Sequence, residues 1–275
     1  MFNRKTVLYT ALGVTVAAVA LRVLQYLFVT DAEGFFRPHN GFHRFLIYAL
    51  TALLALAAVY ALAAMASKPR PLADSACIKC NALGFISALL GLVMLAEAGI
   101  AIGSAFLGGA ITVAGILQVP AGAYFCLLAF LALSGSKPKN GTRVLGLFPA
   151  VYVVSYAINE FFDSFRDINL SKSHINMLAL CSAALFVFAL CGVFADMSVG
   201  LKRLLASAML CTLFTCLSAF PEIIMLALGR ASVDAPLTFC LQTAVKLLYA
   251  ALAVTVLVKA GEKTEINQEE EQFNG

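Results

Sequence analysis

The sequence predicts an all-α integral membrane protein, a polytopic bundle of eight transmembrane helices. Three observations carry this prediction. Hydrophobic residues make up 61% of the 275-residue chain and charged residues only 12%, about half the charge of an ordinary soluble domain. The apolar residues gather into eight runs, each long enough to cross roughly 30 Å of hydrocarbon at about 1.5 Å per helical residue. Most of the Lys and Arg residues fall between the runs or at their ends and favour alternate connections, as positive-inside loops do.

The runs are 6–29, 42–66, 82–103, 108–133, 144–161, 175–195, 203–229 and 236–259. The first follows Arg4 and Lys5 and contains Ala18-Val19-Ala20, which resembles the end of a cleavable signal peptide. It continues apolar to Val29, so an uncleaved helix is the preferred reading and a cleaved leader the alternative. The second follows Pro38-His39-Asn40-Gly41, a turn sequence. The third carries Glu97 and a Gly99-x-x-x-Gly103 spacing suited to close helix packing. Only GSAFLGG, Gly103–Gly109, separates it from the fourth, which predicts a tight turn at the membrane surface. The fourth has Gln118 two residues before Pro120, and the seventh has Pro221 directly before Glu222. Proline frees a backbone carbonyl in a membrane helix, and such places often line bends or cavities. The eighth carries Gln242 and Lys246. After Lys259 the chain is polar and acidic with no apolar period, so residues 260–275 read as a disordered tail.

Charge sets the expected orientation. With the N-terminus in the cytoplasm, twelve of the nineteen Lys and Arg residues lie on the inner side, from Arg4 and Lys5 to Lys259 and Lys263. Five lie outside: Arg37, Arg44, Arg166, Lys172 and Arg230. Arg22 and Lys246 are inside apolar runs. This predicts both termini cytoplasmic in a plasma membrane. The chain has no Trp, so its eight Tyr residues, helped by Phe, must form any aromatic belt.

The halves 6–134 and 143–259 carry traces of a tandem four-helix repeat within the transmembrane domain, 1–259. Lys79, Glu97 and Gln118 recur as Arg203, Glu222 and Gln242 at an offset near 125 residues. Chance likeness between apolar helices is the alternative.

The informative residues are the polar ones inside the runs. Arg22, Gln25, Glu97, Gln118, Asn159, Glu160, Glu222, Gln242 and Lys246 all fall in the outer halves of their helices or at the middle. That one-sidedness predicts a polar cavity open to the outside. Helical phase supports it, since residues three and four apart share a face. Thr215, Ser218 and Glu222 form one stripe, and Thr238, Gln242, Lys246 and Tyr249 another. Tyr152, Ser155, Tyr156, Asn159 and Glu160 form a third, and Arg22, Gln25 and Tyr26 a fourth. Ionisable groups in hydrocarbon are costly and are functional hypotheses by default. The bland alternative is structural pairing, Glu222 with Lys246 and Arg22 with Glu97, fixing helix register alone.

Other signals are weaker. Cys77 and Cys80 have CxxC spacing, but one such pair supplies two of the four ligands of a zinc site. His39, His43 and His174 lie on the other side of the membrane from that pair and read as loop residues. The remaining six Cys lie in apolar runs and read as small hydrophobes. HExxH, GxSxG, P-loop and dinucleotide-binding patterns are absent. The sequence therefore predicts no enzyme, no cofactor, no metal and no nucleic-acid partner. It predicts a lipid-embedded protein that binds or transports a small polar or charged solute. The rival is a non-catalytic scaffold or sensor subunit that acts through a membrane-protein partner.

Overall fold

The computed structural model describes residues 4–28, 41–66, 80–108, 112–136, 144–164, 171–194, 201–229 and 236–273. Eight helices run through them: α1 (Arg4–Phe28), α2 (Gly41–Ala66), α3 (Asn81–Phe106), α4 (Val113–Ser134), α5 (Leu147–Ser164), α6 (Ser171–Phe194), α7 (Leu201–Ala227) and α8 (Pro236–Phe273). There is no strand among the described residues. Seven helices are long and apolar enough to cross a membrane, and the exception is α5, whose apolar part is Leu147–Phe162. Phe106, Leu107, Tyr48, Leu56 and Phe85 are among many large apolar side chains left exposed on the outside of the bundle. Lipid accommodates that surface and water does not. The chain is a multi-pass membrane protein.

The helix boundaries follow local chemistry. Thr112 caps α4 by accepting a hydrogen bond from the Gly115 amide at 3.1 Å. The fourth helix therefore begins at Val113, later than the apolar run at 108 suggested. Gly135, with φ of +68°, closes it in the left-handed conformation. Cys80 caps α3, its sulfur accepting from the Leu83 amide at 3.5 Å. The last helix, α8, continues past the span ending at Lys259 to Phe273. The membrane span has already nucleated the helix, and the Glu, Lys and Gln residues that follow propagate it well.

Around α7 the bundle is organised. Every residue from Leu204 to Ala219 is buried, on all faces of the helix, as expected of a helix apolar all round. It packs on α1, α2, α6 and α8. A second tight contact joins α3 to α4. A Cβ added at Gly91 would sit 2.8 Å from the Gly122 carbonyl oxygen and 2.9 Å from the Cys126 nitrogen. The two backbones touch there, which only glycine allows. The glycines expected to do this, Gly99 and Gly103, have nothing within 4 Å of such a Cβ. They are exposed, on a face of α3 turned away from α4, although α4 is close at that level through Ala101 and Gly115.

Candidate functional site

Two polar clusters occupy the half of the bundle in which α1, α3 and α7 finish and α8 begins. The first is centred on Arg22, which is 2% exposed. Its guanidinium donates to Gln25 Oε1 at 2.8 Å and to the Tyr26 hydroxyl at 3.3 Å. The same group lies 4.5 Å from the Tyr26 ring centroid, within cation–π range. Gln25 in turn donates to the Leu46 carbonyl of α2 at 3.1 Å. Glu222 of α7 acts on Arg22 electrostatically. Spacings of three and four residues put Arg22, Gln25 and Tyr26 on one face of α1. The cluster ties that face to α2 and α7.

The second cluster surrounds a small cavity, with room for a few water molecules. Helices α3, α5, α6, α7 and α8 wall it with Glu97, Tyr152, Val153, Tyr156, Ala179, Leu180, Ala183, Thr215, Gln242, Val245, Lys246 and Tyr249. Lys246 and Glu97 lie ten and nine residues from their helix ends at Pro236 and Phe106, about 14–15 Å along each helix. Lys246 Nζ donates to Ser218 Oγ at 2.9 Å and to Asn176 Oδ1 at 3.1 Å. Ser218 also donates to Asn176 Oδ1. Glu97 Oε2 accepts from Gln118 Nε2 at 2.7 Å. Gln118 sits just before Pro120, inside α4, and is buried. The Glu97 carboxylate also acts electrostatically on Tyr152 and Tyr249. The Tyr152 and Tyr156 rings are 6.1 Å apart, and Tyr249 packs edge to face on Phe125 at 5.9 Å.

Of the nine residues singled out from the sequence, Glu97, Gln242 and Lys246 line the cavity, and Gln118 is joined to it through Glu97. Arg22, Gln25 and Glu222 belong to the first cluster. Asn159 and Glu160 are half-buried towards the end of α5 and are not among the lining residues. Arg22 meets Gln25, Tyr26 and the field of Glu222, while Glu97 is held by Gln118. Lys246 bonds Ser218, one helical turn before Glu222 on the same face of α7.

Asn176 was not singled out. It sits at the edge of its apolar run. The helix begins at Ser171, and those extra residues carry Asn176 more than a turn inside. Tyr152, Tyr156, Tyr249 and Thr215 were visible as members of polar stripes but not as a shared wall. Cys80 is buried as a helix cap, while Cys77 and His39 lie outside the described residues. Among the described residues no group of three or more His, Cys, Asp or Glu could hold a metal ion.

No family model, no curated protein and no solved structure matches the chain.

Proposed function

We propose that this multi-pass membrane protein binds, and carries across the membrane, a small polar or charged solute. The observation that carries the reading is the cavity that brings a carboxylate, Glu97, and an ammonium, Lys246, to one wall deep within the bundle. Each charge at mid-bilayer costs on the order of 2.5–3.5 kcal/mol on the insertion scale. Packing alone gives no return for two such charges beside an unfilled space. Gln242, Thr215 and three tyrosines add neutral donors and acceptors to the same wall. A pocket of mostly apolar lining with a few converging polar groups is the usual form of a small-molecule site. The role is binding rather than catalysis, in a plasma membrane, with the cavity open to the outside and both termini cytoplasmic.

The test is chemical access. In a variant without the native cysteines, Gln242→Cys should react with an impermeant thiol reagent added outside intact cells. Absence of labelling from either side would count against a solvent-filled cavity. Cysteines introduced at Lys139 and Lys172 should label from opposite sides, and labelling of both in intact cells would overturn the orientation.

The rival reading, a scaffold or sensor acting through a partner protein, draws on α8. Its helix runs through the Glu-rich segment to Phe273, well past the span ending near Lys259, and such a helix could dock a partner. Truncation after Gly261 separates the two readings: solute binding should survive it, and a partner-dependent role should not.

A further inference from the structure

We infer that the group the cavity recognises is an ammonium, bound by Glu97 together with Tyr152, Tyr156 and Tyr249. This rests on the reading of the cavity as a solute site and names the chemistry of the solute.

The inference comes from how differently the two charges on the cavity wall are held. Lys246 donates to two fixed acceptors, Asn176 Oδ1 and Ser218 Oγ, which come from two other helices. Those partners hold its ammonium within the protein. Glu97 accepts one hydrogen bond, at Oε2, from the neutral amide of Gln118. A carboxylate has about four acceptor sites, and among the described residues no Lys or Arg is ion-paired with this one. An amide orients the carboxylate but does not cancel its charge. The compensating positive charge is therefore what the site lacks, and a buried anion at low dielectric attracts one strongly.

The surroundings select the kind of cation. A bare metal ion requires several oxygen ligands close around it. The described residues hold no cluster of three acidic or metal-ligating side chains. Instead, three tyrosines share the cavity wall with Glu97, two of them with rings 6.1 Å apart. Aromatic rings favour organic ammonium groups, whose charge is spread over carbon-bound hydrogens and easily desolvated. Lys246, on the same wall, can meet a carboxylate on the same molecule. A simple organic cation and a zwitterion thus share the ammonium and differ in their use of Lys246.

The full chain in detergent tests this with three probes at matched ionic strength: tetramethylammonium chloride, glycine betaine and sodium acetate. The chain has no Trp, so its emission comes from tyrosine. Three of its eight tyrosines line the cavity. Tetramethylammonium, betaine or both should change that emission saturably and slow thiol labelling of Gln242→Cys about tenfold, the equivalent of about 1.4 kcal/mol. Sodium acetate should do neither. Glu97→Gln should remove the response. Tyr156→Leu, which leaves every charge in place, should weaken it. Lys246→Met should weaken betaine alone, and a response confined to betaine identifies a zwitterion as the source of the ammonium. Protection by acetate without either ammonium compound would overturn the inference and leave Lys246 as an anion site. So would an unchanged response in Glu97→Gln. If Gln242→Cys never labels in the absence of probe, the cavity reading itself fails, and the inference with it.

Discussion

Arg22 and Lys246 are basic residues set deep in membrane helices, and their surroundings differ. Arg22 is 2% exposed and its partners Gln25 and Tyr26 lie one turn along its own helix. Gln25 passes the connection to the backbone of α2, and Glu222 adds its field from α7. Lys246 is half-buried, takes its partners from α6 and α7, and borders a cavity that also holds Glu97. The first arrangement is closed: each polar group answers another. The second is open: one charge is held and the other, Glu97, accepts one hydrogen bond among the described residues, from an amide. An intramembrane charge can serve as a fastener or as a binding group. The number of its protein partners, and the space beside it, separates the two uses.

Breaking the closed cluster should have the largest effect on stability. Arg22→Met leaves Glu222 and Gln25 without their cation, and removing one member of a buried charged set costs about 3–5 kcal/mol. The loss should appear as a lowered melting temperature in detergent or as failure to accumulate. Arg22→Met with Glu222→Gln should recover part of it, with a coupling of about 0.5–3 kcal/mol in a double-mutant cycle. Strictly additive losses would mean that Glu222 does not belong to the cluster. The same cycle run on Glu222 and Lys246 asks whether Glu222 also serves the cavity.

The next effect sharpens the comparison from the side of packing. Gly91→Leu drives a side chain into the Gly122 carbonyl and the Cys126 amide and should cost about 1–3 kcal/mol, as overpacking does. It separates α3 from α4, and so Glu97 from Gln118, without altering a charge. Melting should fall, and ammonium binding should weaken with it. Gly99→Leu, where there is open space, is the control and should leave both unchanged. A smaller loss is expected for Ser218→Ala, which removes one of the two acceptors named for Lys246 and should cost about 1.5 kcal/mol.

The architecture was legible in the sequence because a membrane span is a length and composition signal. Each apolar run became a helix, with ends displaced where a cap such as Thr112 or a polar prelude such as Ser171–His174 decided the boundary. The charged residues were legible too, since any charge in an apolar run stands out. Their partners were not. Which residue meets Arg22 depends on helix rotation and on which helices are neighbours, and a linear pattern carries neither. Asn176 shows this: uncharged and at the edge of its run, it became visible only once α6 was placed against α7 and α8. The close glycine contact was misplaced for a related reason. Gly99-x-x-x-Gly103 has the right spacing but lies on an exposed face of α3, while Gly91 and Gly122 are on the faces that α3 and α4 share.

The smallest expected stability effect is also the most direct test of the distinction drawn between the clusters. Glu97→Gln keeps an oxygen to accept from Gln118 and removes only the uncompensated charge. Groups held ready for a ligand contribute little to stability and often reduce it. Melting of Glu97→Gln and Arg22→Met, side by side in one detergent, should therefore diverge. At about 2–4 °C per kcal/mol for a chain of this size, Arg22→Met should lose roughly 6 °C or more. Glu97→Gln should stay within about 2 °C of the parent, or rise above it. A Glu97→Gln protein that melts as early as Arg22→Met would show that Glu97 is a fastener like Arg22, and the cavity would lose its claim to be a binding site.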